Sequence, residues 1–593
     1  MFATPRIVKR ATPEIGALAP IPVPLGGINA RDPISAMPPT DAIDLINCIV
    51  DGFGISVRGG YQEFATDLPG ATPVRTVMSY YPPTAVGSAV ISQHAKSPYT
   101  FIRTFSANRA LPTVSGRLFA CTNLNIYDIT LGGAGPWVAE LGVNVTSDYW
   151  TWRNFQNAGG NFLLAVNDEG GYYAYGGAGF DSGFSSGFAI ASTGFIHIVE
   201  GPSPTQIQNV NPDLFEFMMV WKRRLWFIEA NSSRAWYLPV EQLTGDAHRF
   251  DFGPQFRHGG HLVALANWTI DGGEGIDDYL IAVGSEGDVV VYKGYDPDSA
   301  DVDPNAFQLH GIWYVGPLPH GRRQVTPWGG DVYILSMFGV TQISKLVTIT
   351  TLGPDFEKKV TGKIDSLISE YMQNYHTNDG WYLKMIPSLE IFAIGAPERV
   401  SGEGPQQFIY KIPQMAWSRF NDLPVGTFTN HDALIFGGGQ NIGTSIVGDG
   451  KVFLMFDTQL DNVSLTDADQ AQRVKVRIIP AYNPLGSPGL NKIFTMLRAT
   501  VLRQANIEFK ITVLTNYQLP GFSNIPTLPI VSGALWNVDL WNVGKWSGAP
   551  TAFTVWLGTV GEGYAATPQI DMNALAGTKL TSLAWWTVAG GVL

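Results

Sequence analysis

The sequence predicts a mainly β protein: a β-propeller of roughly six to seven hairpin-based blades, with an added C-terminal β module and few helices. Glycine (66) and proline (39) are abundant among the 593 residues, which favours short strands joined by tight turns. Pairs of short apolar segments separated by a polar or glycine turn also recur along the chain. Their starts are spaced by about 45–60 residues, close to the repeat length of propeller blades.

Each predicted blade contains one hairpin with apolar residues on both faces. One hairpin cannot bury both faces alone, whereas hairpins stacked around an axis can. The predicted hairpins are Arg117–Cys121 with Asn125–Ile129, Phe162–Val166 with Tyr172–Tyr175, Arg224–Glu229 with Ala235–Val240, Tyr279–Val283 with Val289–Tyr292, Val332–Leu335 with Val340–Ser344, Ile391–Ile394 with Phe408–Ile412, and Ala433–Phe436 with Lys451–Phe456. A pair of β-sandwiches would use the same strands, and the spacing leaves that alternative open.

Three regions are predicted along the chain. Residues 1–39, rich in proline, alanine and glycine, read as an extended N-terminal arm that orders on a partner. Residues 40–470 form the propeller, with an inserted helix near 356–374, where apolar residues repeat at helical spacing. Residues 471–593 form a C-terminal β-rich platform module.

Local patterns add detail to these regions. Thr40 is placed to cap a short helix over Asp41–Leu45. Apolar and polar residues alternate in Val474–Ile479 and Ile507–Val513, as in strands with one face in water. Three tryptophans spaced by five, a period of neither helix nor strand, are expected to attach a loop to a sheet: Trp536, Trp541 and Trp546.

Composition restricts the classes of function. Only 15% of residues are charged, so we expect much of the surface to be covered by other copies or by neighbouring proteins. The net charge of −12 argues against a protein that grips DNA. Cys48 and Cys121 are expected to be buried apolar residues, without a disulfide scaffold or cysteine-based zinc site. No signal-peptide core and no membrane-spanning run is recognised.

Four patterns are candidate chemical sites: a glycine-flanked serine, a histidine pair and two acidic loops. For each of them a non-catalytic interpretation is favoured. Gly183–Gly187 matches a nucleophile elbow around Ser185, but no helix follows it. His258 and His261 lack the helix and the glutamate of a zinc protease. The acidic loops over residues 271–278 and 296–303 could hold Ca²⁺ but do not follow EF-hand spacing, so solvated loops are favoured.

Basic residues cluster at Lys222-Arg223-Arg224 and at Arg322-Arg323. Both clusters flank apolar strands, so a solvated strand start is the first interpretation, and a DNA or subunit contact the second. No catalytic, cofactor-binding or metal-binding residue is predicted, and no cofactor is expected. Paired carboxylates for glycoside hydrolysis stay open, because their separation is spatial.

Several segments, in their order along the chain, resemble the tail nozzle, or tail tubular protein B-like, components of short-tailed phages. These segments are Gly26–Pro33, Met37–Ala42, Val57–Tyr61, Ala235–Pro239, Ala266–Gly273, Asp277–Val283, Gly321–Arg323, Ala416–Phe420 and the five-spaced tryptophan run. The resemblance implies a six-fold ring with a propeller in each subunit, below the tail adaptor ring, forming the channel through which the genome leaves.

The expected function is therefore that of a virion structural protein without enzymatic activity, assembled in the host cytoplasm. Its expected partners are copies of itself, the adaptor ring, and tail fibres or spikes, while double-stranded DNA passes without specific binding. The alternative is a receptor-binding or glycan-degrading propeller protein of the tail. A secreted propeller lectin is disfavoured by the lack of a recognised signal peptide.

Overall fold

A computed structural model describes residues 16–70, 72–81, 116–142, 144–157, 160–167, 169–176, 194–203, 205–271, 276–299, 302–348, 359–397, 404–442, 447–467, 470–486, 488–503, 507–520 and 551–592. The chain divides into two compact units. The terminal unit comprises Met1–Arg58, Gln414–Ser418 and Arg473–Leu593, and the central unit comprises Gly59–Pro413 and Arg419–Gln472. The central unit thus begins at Gly59, whereas the sequence places the start of the propeller at residue 40.

Seven small antiparallel sheets follow one another along the central unit. They are sheet 1 (Thr76–Tyr80, Arg117–Cys121, Ile126–Asp128), sheet 2 (Thr151–Asn157, Gly160–Asn167, Gly171–Tyr175, Ile196–Ile198), sheet 3 (Phe215–Trp221, Arg224–Glu229, Arg234–Tyr237, His248–Asp251), sheet 4 (Leu262–Asp271, Ile276–Gly284, Asp288–Gly294, Phe307–Tyr314), sheet 5 (Val325–Trp328, Asp331–Ser336, Gly339–Gln342), sheet 6 (Tyr382–Ile386, Ile391–Ala396, Gln406–Lys411) and sheet 7 (Val425–His431, Leu434–Gly439, Val452–Thr458, Gly60–Thr66). All seven predicted hairpins are confirmed, each within one sheet.

Tight turns join the strands within each sheet. Lys222 and Arg223 both adopt left-handed φ angles, of 48° and 62°, in the two-residue turn between the first strands of sheet 3. Such a turn matches the twist of the strands that it joins. In sheet 4, Gly287 has φ of 93°, and a Cβ there would lie 2.1 Å from the Gly316 oxygen, so only glycine fits.

The core of the central unit lies between neighbouring sheets. Each sheet contacts the next one along the chain, and sheet 7 contacts sheet 1. One cluster of buried residues joins sheets 1 and 2, and a second joins sheets 2 and 3. A third joins sheets 3, 4 and 5, and a fourth joins sheets 7 and 1. Both faces of sheets 1 to 4 are therefore covered by their neighbours.

The first strand of the central unit completes the last sheet. Gly60–Thr66 pairs with Val452–Thr458, although the two are almost 400 residues apart along the chain. Glu63 in this strand is only 3% exposed and accepts hydrogen bonds from Lys451 Nζ (2.6 Å), Ser464 Oγ (2.8 Å) and the Leu465 amide (2.8 Å). Sheet 7 is thus held by both ends of the unit.

Helices are few and short. Among the described residues, the α-helices are Ile343–Thr348 and Asp365–Tyr375, and the 3-10 helices include Pro212–Leu214, Gly253–Gln255, Pro297–Ser299 and Pro387–Leu389. The helix predicted near 356–374 thus begins only at Asp365, and the residues before it, from Lys359, form turns. Ile364, Ile368 and Tyr371 of the predicted apolar repeat are buried, and Met372 is buried beside them. Within the described residues, no helix is long and apolar enough to cross a bilayer.

The described residues of the terminal unit form two sheets. One consists of Cys48–Asp51, Gly54–Val57, Lys579–Val592, Leu490–Arg503 and Thr551–Gly558 in that order, with Ala17–Ile21 and Glu562–Gly563 paired at its sides. The other contains Ala42–Ile46, Val474–Pro480, Ala566–Ala574 and Glu508–Thr515. Ala416–Phe420 is a further strand, and Ile207–Gln208, Gly245–Asp246 and Gly133–Ala134 are short paired segments of the central unit.

Two N-terminal segments differ from the sequence-based expectation. The short helix over Asp41–Leu45 was wrongly predicted, because Ala42–Ile46 is a strand that pairs with Val474–Pro480. Part of the predicted arm also pairs with its own chain, since Ala17–Ile21 lies antiparallel to Leu583–Thr587. The first 15 residues of that arm lie outside the described residues.

Candidate functional site

A pair of arginines lies where the first strands of several sheets begin. Arg323 donates to the Arg75 oxygen (2.6 Å) and to Thr76 Oγ1 (2.7 Å), at the start of sheet 1. It also donates to the Trp150 oxygen before sheet 2 (3.4 Å) and to Thr427 Oγ1 in sheet 7 (3.3 Å). One guanidinium therefore connects three sheets, with its donors directed mainly at backbone and hydroxyl oxygens.

The backbone and the neighbour of Arg323 extend these contacts. The Arg323 carbonyl accepts the Leu383 amide at 2.7 Å, which ties the segment to the first strand of sheet 6. Arg322 donates to the Glu216 oxygen in sheet 3 (3.1 Å), and its Nε lies 3.4 Å from Glu216 Oε2. Arg322 and Arg323 also face the Tyr149 ring, with guanidinium carbons 5.7 and 4.2 Å from its centroid. We call Tyr149, Arg322 and Arg323 the arginine hub.

Two acidic residues, Asp148 and Asp379, lie close to Arg75 beside the hub. Burial raises the pKa of Asp148, while the charges of Arg75 and Arg323 act in the opposite direction. Arg75 Nε lies 3.9 Å from Asp148 Oδ1, and its NH1 lies 3.9 Å from Asp379 Oδ2. Burial, followed by the nearby Asp148 carboxylate, also raises the pKa of the Cys121 thiol, so this cysteine is protonated and inert.

Side-chain hydrogen bonds between adjacent first strands continue the pattern around the unit. They run from Thr429 Oγ1 to the Val77 oxygen (2.7 Å), from Asn154 Nδ2 to the Ser79 oxygen (2.9 Å), from Asn430 Nδ2 to the Met385 oxygen (3.2 Å) and from Thr151 Oγ1 to the Glu216 oxygen (3.3 Å). Each satisfies a backbone carbonyl that the edge of a sheet leaves without a strand partner. The polar groups at this site therefore hold neighbouring sheets together.

One buried pair has residue types that are used in nucleophilic catalysis. Ser79 Oγ lies 2.6 Å from His431 Nδ1, and the Asp432 carboxylate lies 4.0 Å from His431 Nε2. Both Ser79 and His431 are almost completely buried, and the Tyr81 ring stacks on the imidazole at 4.9 Å. A nucleophile must reach its substrate, so this arrangement serves the contact between sheets 7 and 1.

The two histidines of the candidate metal pattern, His258 and His261, have different hydrogen-bond partners. His258 Nδ1 lies 2.8 Å from Asp288 Oδ1, and its amide donates to Asp288 Oδ2. The His261 amide instead donates to Ser285 Oγ, and burial lowers the pKa of the His261 imidazole. Among the described residues, no group of three or more histidine, cysteine or acidic side chains is arranged to hold a metal ion.

Arg224 of the first basic cluster forms ion pairs with the second acidic loop. Arg224, with a side chain only 10% exposed, lies 2.7 Å from Asp296 Oδ1 and 3.0 Å from Asp298 Oδ2. Tyr237 Oη donates to Asp298 Oδ1 at 2.7 Å. These oxygens already have protein donors, which opposes their use as Ca²⁺ ligands. Arg224 is thus a buried anchor and not the solvated strand start that was first expected.

The structure brings the second basic cluster, Arg322-Arg323, to a position that sequence reasoning missed. Its partners Arg75, Trp150, Glu216 and Thr427 are far apart along the chain. The only signal was two adjacent arginines before a strand in a chain with few charges. Gly183–Gly187 around Ser185, the tryptophans Trp536, Trp541 and Trp546, and residues 272–275 of the first acidic loop lie outside the described residues.

Comparisons with known proteins add little to this description. No protein-family model and no curated protein matches the chain. Among solved structures, Raptor of Chaetomium thermophilum matches with 10% identity and a TM-score of 0.35, over 68% of this chain and 29% of Raptor. Sqt1 of Saccharomyces cerevisiae matches with 11% identity and a TM-score of 0.34, over 71% and 96%. A glycoside hydrolase family 43 arabinoxylan arabinofuranohydrolase from Bacillus subtilis matches with 9% identity and a TM-score of 0.22, over 89% and 96%. Likenesses this weak carry no argument about function.

Proposed function

We propose that the central unit is a seven-bladed β-propeller and that the chain is a structural subunit of a phage tail nozzle. The seven sheets that contact one another in order, with sheet 7 against sheet 1, support the propeller. The pairing of Gly60–Thr66 with the last sheet supports closure, because it joins the two ends of the unit. The nozzle assignment rests on the ordered segments that resemble the tail nozzle family.

The contacts of the arginine hub are the main support for a structural role of this chain. A β-propeller arranges its blades around a central channel. In the proposed propeller the hub lies where several first strands begin, and Arg323 directs its donors to Arg75, Thr76, Trp150 and Thr427. Groups used in this way hold blades in place and are not free for a substrate. The proposed activity is therefore assembly of a rigid ring, without catalysis.

In the proposed setting, several copies form a closed ring below the adaptor in the virion tail. The resemblance implies six copies, and the channel for the genome lies between subunits. The net charge of −12 supports a wall that does not hold DNA, with screening over about 10 Å at 0.1 M salt. Tail fibres or spikes would attach to the outside of this ring.

Electron microscopy and mass photometry of the purified full chain test this function. We expect class averages of a closed ring with seven-bladed subunits, and a mass that is a multiple of the 64.5 kDa chain. A stable monomer at micromolar concentration would overturn the nozzle assignment. Depolymerase activity on host capsule, abolished by replacing one acidic residue, would move the function to a glycan-degrading tail protein.

A further inference from the structure

Two cations on first strands of the central unit have no acidic partner in the part of the chain that the structure describes. Arg153 is the third residue of Thr151–Asn157 in sheet 2, and Lys384 is the third residue of Tyr382–Ile386 in sheet 6. Across the described residues, neither side chain forms an ion pair, and the hydrogen bond of Arg153 goes to the Trp152 oxygen at 2.9 Å. Most basic side chains elsewhere in the unit, such as Arg224 and Lys451, contact carboxylates.

The arginine hub brings these two positions together. The Arg323 carbonyl accepts the amide of Leu383, which directly precedes Lys384. The Arg323 guanidinium reaches the Trp150 oxygen, three residues before Arg153. Arg323 therefore connects the starts of both strands and adds a third positive charge beside the other two.

The electrostatics agree with a confined cluster of cations. The pKa of Lys384 is lowered to about 8, mainly by burial and to a smaller extent by the charges of Arg153 and Arg323. Arg153 is exposed on its strand, and partial desolvation by the surrounding protein atoms lowers the pKa of its guanidinium. No acidic group contributes to either shift, so within the described residues the uncompensated positive charge lies on Lys384 and Arg153, whereas Arg323 also has the Asp148 carboxylate nearby.

We propose that Lys384 and Arg153, with the charge of Arg323 beside them, bind a small phosphate-type oxyanion among the first strands of the central unit. Lys384 supplies three ammonium donors, and Arg153 supplies the guanidinium donors not used by the Trp152 oxygen. Arg323 supplies charge only, because its own donors are directed at the protein. This site goes beyond the structural role, and it does not depend on the assignment to a tail.

Thermal unfolding of the full chain tests the site. A ligand that binds only the folded protein raises its stability, so Tm should rise by about 2 °C in phosphate at a hundred times Kd, relative to chloride at equal ionic strength. Calorimetric titration of the wild-type chain should give one saturable phosphate site. Unchanged Tm and no saturable heat would overturn the proposal.

Variants separate binding from a general salt effect. Lys384→Met should be at least as stable as wild type in chloride, because repulsion is relieved, and should lose the phosphate response. Arg153→Met should lose it as well. Lys475→Met removes an exposed lysine of the terminal unit and should keep the full response. Equal responses in the Lys384 and Lys475 variants would overturn the proposal.

A binding competition between inorganic phosphate and a short oligonucleotide distinguishes a free oxyanion from a phosphodiester as the ligand. If a short single-stranded oligonucleotide displaces inorganic phosphate from the wild-type chain, and fails to bind Lys384→Met, the site takes a phosphodiester. If phosphate binding is unaffected by the oligonucleotide, the ligand is a free oxyanion. The oligomeric state is measured independently, so failure of this proposal leaves the proposed function testable.

Discussion

The two units organise their buried polar groups in different ways. In the central unit, one side chain makes several of the polar contacts: the Arg323 guanidinium donates hydrogen bonds to residues that precede or belong to three sheets. In the terminal unit they follow a line, because Thr567, Gln569, Asp571 and Asn573 alternate along the fully buried strand Ala566–Ala574. Alternation places these four side chains on one face of the strand.

Each polar residue of that line has a partner inside the terminal unit. Asp571 accepts from Arg477 Nε and from Gln569 Nε2, both at 2.7 Å. Asn573 donates to Glu508 Oε2 at 2.9 Å, and Thr567 donates to the Pro480 oxygen at 2.7 Å. The comparison indicates that separate sheets are held together by a shared anchor, whereas a continuous sheet satisfies its polar groups strand by strand.

The largest effect is expected from removing the shared anchor. Arg323→Met should lower the free energy of unfolding of the central unit by about 3 kcal/mol, because several carbonyl and hydroxyl acceptors lose a charged donor. Chemical denaturation followed by tryptophan fluorescence measures the change. Arg223→Met is the control, since this turn residue has a side chain 71% exposed and should change stability by less than about 0.5 kcal/mol. Equal effects of both changes would contradict a convergent anchor.

A smaller loss is expected from the line of polar residues in the terminal unit. Asp571→Asn should cost about 2 kcal/mol, because the Arg477 guanidinium loses its carboxylate in a buried site. Glu562→Gln, an exposed change in the same unit, serves as control. Hydrogen exchange should localise the loss to Ala566–Ala574 and its neighbouring strands. Loss of protection at the hub instead would break the comparison between the units.

The smallest effect concerns acid stability at the closing strand. Burial raises the pKa of Glu63, but hydrogen bonds from Lys451, Leu465 and Ser464 outweigh it and lower the pKa overall. A lowered folded pKa stabilises above the unfolded value near 4.3, and this stability is lost as pH falls through the folded pKa. Glu63→Gln should cost about 1 kcal/mol at pH 7 and flatten the loss of stability below pH 4. Identical pH profiles of wild type and variant would show that this carboxylate does not secure sheet 7.

The sequence predicts secondary structure correctly where the interactions that stabilise an element lie between residues close along the chain. The hairpins at Arg117–Cys121 and Tyr279–Val283 were predicted because an apolar strand, a turn and a second strand lie within a few residues. It failed at Asp41–Leu45, where Ala42 and Leu45 stand at the i, i+3 spacing of a helix, whereas the strand buries both because its register shifts between Ala42 and Asp44. Pairing with Val474–Pro480, more than 400 residues later, decided that segment.

The sequence by itself determined the class of this protein: many short strands, seven hairpins, few charges and a separate C-terminal pattern. Periodicity and turn residues act over a few neighbours, so they can be read without coordinates. Only the tertiary structure decided that Gly60–Thr66 completes sheet 7 and that Arg322 and Arg323 form a hub. These choices depend on burial and hydrogen bonds between distant residues, which no local pattern records.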